Sequence, residues 1–113
     1  MNWQEARDRE LAHWATVRDA IGSTSPIELL TEINAADAFC EKVREEGGAP
    51  VDFCTRCIFY QQFGGCRETS GRMSECVAAH DWEGLRKQMD EVTAHLRALA
   101  VPPDPAAVKV EAC

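Results

Sequence analysis

The sequence predicts an all-α fold: a three-helix hairpin or bundle with a cysteine-rich metal-binding loop between helices 2 and 3. Three observations predict it. Apolar residues recur at helical spacing in three separate stretches. Helix start and stop signals stand at the ends of those stretches. The only β-branched and aromatic run, Ile58-Phe59-Tyr60, is followed by glutamines and glycines. With 113 residues, 45% hydrophobic and 27% charged, the chain has the size and composition of one globular domain. Residues 1–100 are expected to form it, with the cysteine-rich loop at 49–80 and a flexible tail at 101–113.

The first helix is expected over Asn2 to Ile21. Trp3, Leu11, Trp14, Val17 and Ile21 fall near one stripe, and Gly22 ends it. Ser23-Thr24-Ser25-Pro26 reads as a turn. The second helix starts with Ser25 as N-cap, Pro26 at the first helical position and Glu28 completing a capping box. Leu29, Ile33, Ala36, Cys40 and Val43 then form one continuous face. Gly47-Gly48 stop this helix, and Pro50 blocks its resumption.

The third helix lies within Ser74 to Ala100. Ala78, Trp82, Leu85, Met89, Val92, Leu96 and Leu99 form its stripe. Asp81 offers an independent cap, which would make Ser74 to His80 a separate turn. Pro102-Pro103 and Pro105 end the helix. These seams read as core. Three helices of this size bury a modest core, so an exposed stripe would dock on another chain or on a second copy.

The net charge is −7, from 12 basic and 19 acidic side chains. Nothing is basic enough to grip the phosphates of a nucleic acid, and an anionic membrane surface is disfavoured for the same reason. No apolar stretch approaches the roughly 18 residues of a membrane span. Glu5, Arg7, Asp8, Arg9 and Glu10 interrupt any signal-peptide core, so the expected location is cytoplasmic. Residues 23–48 carry six acidic and two basic groups, a solvated face or a docking surface.

The unusual feature is the cysteine content: six residues, four of them within 23 positions. Cys54, Cys57, Cys66 and Cys76 follow C-x2-C-x8-C-x9-C. A C-x2-C turn lets two thiolates converge on one metal. Gly64-Gly65 and Gly71 permit loops that return Cys66 and Cys76 to the same point. Arg56, Arg67 and Arg72 would offset the negative charge of a tetrathiolate site. Three chemistries compete: a [4Fe–4S] cluster, a structural Zn²⁺, and a Cys54–Cys57 redox dithiol. Zinc sites usually pair two short knuckles, and Cys66-x9-Cys76 is too open for one. A cluster accepts separated ligands and needs cover from water. Phe53, Ile58, Phe59, Tyr60, Phe63 and Met73 would supply that collar, or would be ordinary core beneath a zinc loop.

The segment from Cys54 to Cys76 resembles the cluster-binding part of high-potential iron–sulfur proteins. It resembles still more the shortened version in small subunits of benzylsuccinate-synthase-type glycyl-radical enzymes. The shared features are the C-x2-C pair, the aromatic Phe59-Tyr60 just after it, Gly65-Cys66, the Gly71 turn and the last Cys76. The resemblance implies one [4Fe–4S] cluster on Cys54, Cys57, Cys66 and Cys76.

Cys40 lies on the apolar face of the second helix, as a buried small hydrophobe or as a fifth thiol near the site. His80, four residues after Cys76, is a surface residue or a substitute ligand. His13 and His95 read as solvated or half-buried, and Cys113 as an exposed thiol. The sequence holds no G-x-S-x-G, H-E-x-x-H, P-loop, G-x-G-x-x-G or deaminase motif. The expected function is that of a small iron–sulfur protein without its own catalytic site. It would act as accessory subunit, electron carrier or redox sensor for a larger partner. A zinc-stapled interaction module and a C-x2-C thiol–disulfide oxidoreductase are the alternatives.

Overall fold

The computed structural model describes residues 1–35, 37–48 and 53–102, without the side chains of 53, 66 and 67. The described residues form helices α1 (Trp3–Ala20), α2 (Pro26–Ile33), α3 (Ala38–Glu45), α4 (Phe53–Arg56), α5 (Ile58–Phe63), α6 (Cys66–Ala78) and α7 (Trp82–Ala98), and no strand. None of these helices is long and apolar enough to cross a membrane.

α1 lies where its stripe places it. The Asn2 side chain accepts the Glu5 N–H at 2.8 Å and caps the helix. Val17 and Ile21 are buried, and Trp3, Leu11 and Trp14 border the core. Ala6 and Glu10 complete the buried face. Among the described residues Glu10 is the one charged side chain that is buried, and it is doubly satisfied. Its carboxylate accepts the Ala38 N–H at 2.7 Å and the Trp14 Nε1–H at 3.2 Å. This clamps α1 to the first turn of α3.

The expected continuous second helix is two helices. Asn34 closes α2 by donating its Nδ2–H to the Leu30 carbonyl at 2.8 Å. Asp37 opens α3 by accepting the Cys40 N–H at 2.8 Å. Two side chains that hydrogen-bond the local backbone, three residues apart, outcompete a continuous helix. Ala36 of the expected stripe lies outside the described residues. α3 then buries Ala38, Phe39 and Val43 and leaves Cys40 half-buried. The capping box is only half made. The Ser25 hydroxyl accepts the Glu28 N–H at 3.2 Å, but the Glu28 carboxylate takes the Thr24 hydroxyl instead of reaching back to Ser25.

The largest correction concerns the loop expected at 49–80, where α4, α5 and α6 stand. α6 is a 13-residue helix whose buried residues Met73 and Val77 are four apart, one turn of one face. It packs on α7 and α2, while α1 packs on α7, α3 and α2. Asp81 caps α7 independently, accepting the Gly84 N–H at 2.9 Å. Ser74 to Ala78 are therefore the end of α6 and not a separate turn. The α6–α7 corner is sharp: His80 has φ 54°, and the Asp81 N–H donates to the Cys76 carbonyl at 2.8 Å. α7 buries Leu85, Met89, Val92 and Leu96, followed by Leu99, as its stripe requires, whereas Ala78 is exposed. The expected tail from 103 onward, with Cys113, lies outside the described residues.

Candidate metal centre

Cys54 is in the four-residue α4, and Cys57 is the N-cap of α5. The Cys57 N–H donates to the Cys54 carbonyl at 3.3 Å, so the C-x2-C pair forms one tight turn. Both residues line a cavity of about 30 Å³. Cys40 of α3 and the N-cap residue Asp37 line the same cavity, as does Gly64. Phe39, Phe59 and Tyr60 supply its apolar wall. Phe39 and Phe59 stack with ring centres 6.0 Å apart. Cys40 also faces a second, larger cavity of about 380 Å³, which shares Asp37, Phe39 and Phe59 and reaches Glu10 and Trp14.

The rest of the expected collar is distributed differently. Ile58 and Met73 are core. Phe63 is exposed and stacks on His95, ring centres 4.5 Å apart and planes nearly parallel. The side chain of Phe53 lies outside the described residues. Of the three arginines, the side chain of Arg67 lies outside the described residues, and the other two have partners elsewhere. Arg56 approaches Glu46 at 3.8 Å, and Arg72 bonds Thr69 on its own helix at 3.5 Å.

Cys66 and Cys76 do not share one place. Cys66 is the first residue of α6, and Cys76 lies in its last turn. Ten residues at about 1.5 Å each separate them by roughly 15 Å along the axis. A Zn–S bond is only about 2.3 Å, and a cubane widens the reach by no more than a few ångströms. The ligand set Cys54, Cys57, Cys66 and Cys76 therefore does not fit one [4Fe–4S] cluster while α6 is a helix. Among the described residues, no three His, Cys, Asp or Glu side chains already stand close enough to hold an ion.

Cys76 borders the core at the α6–α7 corner. Burial first, then the charges of Asp81 and Glu75, push its thiol pKa up. His80 is exposed and lies against Trp82, ring centres 5.4 Å apart, away from the cavity. His13 Nε2 sits 3.1 Å from the Glu32 carbonyl. Burial, and secondarily the charge of Asp37, raise the Glu10 pKa against its two hydrogen bonds and the His13 charge.

The sequence offered Cys40 as a buried small hydrophobe or as a fifth thiol near the site, and the structure leaves it half-buried on the cavity that Cys54 and Cys57 line. The usable signal was Asp37, an N-cap three residues earlier, which starts a new helix at Ala38. Glu10 was missed altogether, although it stands four residues from Trp14 on the α1 stripe. Compared with known proteins, the chain matches no family model, no curated protein and no solved structure.

Proposed function

We propose that this chain is a small helical metal–thiolate protein that serves a larger partner as accessory subunit, electron carrier or redox sensor. The observation that carries this is one cavity lined by Cys54, Cys57 and Cys40 under an aromatic wall. Cysteines from α3 and from the α4–α5 turn beside one apolar hollow suit a soft metal. Exposed Ile27, Tyr60 and Phe63 are large apolar side chains that a partner could cover.

A [4Fe–4S] cluster is the occupant that the resemblance implies, and it requires movement of the cavity wall and of α6. A single zinc ion is the second reading: the Cys54–Cys57 pair forms one tight C-x2-C turn, the half-site that a zinc knuckle uses. Protein purified without oxygen, assayed for iron, acid-labile sulfide, zinc and visible absorption, separates them. About four irons with matching sulfide and a broad sulfur-to-iron band identify the cluster. A colourless protein with one zinc identifies the ion. Neither metal removes the proposal and leaves the Cys54–Cys57 dithiol.

A further inference from the structure

We infer that the larger cavity is a binding site for a small organic ammonium ion, a molecule with one cationic amine and an apolar body. The inference goes beyond the metal–thiolate reading and uses no thiol.

Three observations carry it. First, the cavity has the size and wall of a small-molecule site. Its volume is about 380 Å³, and ligand pockets run from roughly 300 to 1,000 Å³. Ile33, Val92 and Leu96 make the wall apolar, and Trp14, Phe39 and Phe59 add aromatic rings. Asn34, Ala35 and Gly71 on its border are exposed, so it opens to solvent. Second, its charge has one sign. Glu10 and Asp37 supply two carboxylates, and among the described residues no Lys or Arg lines it. The other titratable wall residues are His13 and Cys40, and the described residues that α2, α5, α6 and α7 contribute do not titrate. Third, Glu10 keeps capacity for a further donor. Its oxygens accept one N–H each, from Ala38 at 2.7 Å and from Trp14 at 3.2 Å, and a carboxylate has about four lone-pair sites. The residue is 6% exposed, and burial raises its pKa. A buried charge without a counter-ion is costly, and an ammonium group beside it reduces that cost.

The wall selects an organic cation over other ligands. Aromatic faces attract a cation, and the aliphatic side chains cover its apolar body. A bare metal ion lacks that body, and among the described residues no three His, Cys, Asp or Glu side chains stand close enough to hold one. An anion meets two carboxylates and no Lys or Arg.

Three probes of similar shape test this: 2-phenylethylamine, 2-phenylethanol and 3-phenylpropanoate. Each is titrated into the ¹⁵N-labelled full chain and followed by NMR. The Trp14 Nε1–H and the Ala38 N–H report directly, because both donate to Glu10. The amine should shift both signals and bind at least about fivefold more tightly than the alcohol, the ratio given by about 1 kcal/mol of cation–π and charge attraction. The acid should bind more weakly than the alcohol. The amine stays cationic between about pH 7.5 and pH 5, so its affinity should fall over that range as Glu10, Asp37 and His13 take up protons, while that of the alcohol stays level. Glu10→Gln should lose the preference for the amine and still bind the alcohol, which shows that the cavity is intact. Asp37→Asn keeps an oxygen for the Cys40 N–H and should reduce the preference in a second protein. Equal binding of amine and alcohol overturns the charge selection, and shifts confined to residues away from the cavity overturn the site.

Discussion

Glu10→Ala should destabilise the protein by about 2–3 kcal/mol at neutral pH. The carboxylate is only 6% exposed and accepts two hydrogen bonds, at 2.7 Å from Ala38 N–H and 3.2 Å from Trp14 Nε1–H. Hydrogen bonds to a charged group contribute about 1.5–3 kcal/mol each, so their gross value is roughly 3–6 kcal/mol. The cost of holding a charge out of water offsets part of this, as the raised pKa shows. Against a total stability of about 5–15 kcal/mol, the loss is a large fraction. In a domain of this size it lowers Tm by about 10 °C. Urea unfolding followed by far-ultraviolet circular dichroism measures it. A loss under about 0.5 kcal/mol would refute the clamp between α1 and α3, since surface substitutions alone reach that value.

The pH dependence gives the same residue an independent test. The Glu10 pKa is raised above its ordinary value of 4.5 in the folded protein. Its contribution is therefore fully present below about pH 4.5 and is lost as pH rises through the folded pKa. Glu10→Gln carries no charge at any pH. The stability of wild type minus that of Glu10→Gln should grow in favour of wild type as pH falls from 7 towards 4.5. Acid losses from other carboxylates occur in both proteins and cancel in the difference. A flat difference would show that Glu10 is not shifted.

Two further substitutions probe the elements around the cysteines. Gly71→Ala should stabilise the protein by about 0.5–1 kcal/mol, because a Cβ at Gly71 meets nothing within 4 Å and alanine favours a helix. If residues 66–76 instead form a cluster-binding loop that needs glycine, thermal unfolding will show a loss, together with loss of bound metal. Asp37→Ala should cost about 1 kcal/mol through the lost cap on Cys40 N–H, visible as faster amide exchange in the first turn of α3. Asp37→Asn should keep that cap and lower the Glu10 pKa, read by NMR titration, since the Asp37 charge helps raise it.

The helical class and the faces of α1 and α7 were legible because each is one long stripe with caps at its ends. Val17, Ile21, Leu85, Met89 and Leu96 are buried where period 3.6 places them. The break at Asn34 and Asp37 was hidden because Leu29, Ile33, Cys40 and Val43 keep helical spacing across it. Periodicity records which residues face inward and does not record whether the backbone between them is continuous. α4, α5 and α6 were hidden for a different reason. The cysteines and glycines of 54–76 drew attention to loops, while the helical signal of α6 rests on two residues, Met73 and Val77. Tertiary packing on α7 and α2 outweighs the weak propensity of a segment containing Gly71 and three serine or threonine residues, Thr69, Ser70 and Ser74.

Cysteine spacing limits how far apart two thiols can be and leaves open how near they are. Nine intervening residues allow a loop that closes on itself or a helix that holds its ends about 15 Å apart. Which one forms is decided by the apolar residues between, and here Met73 and Val77 are both buried. The fourteen positions from Cys40 to Cys54 look like a long separation in sequence. Yet α3 and α4 pack on each other, and both cysteines border one hollow. The clamp from Glu10 to Ala38 holds the first turn of α3, and with it Cys40, against α1. Which cysteines border one hollow is therefore fixed by which helix ends the core brings together, and in this chain the core brings α3 to the Cys54–Cys57 turn.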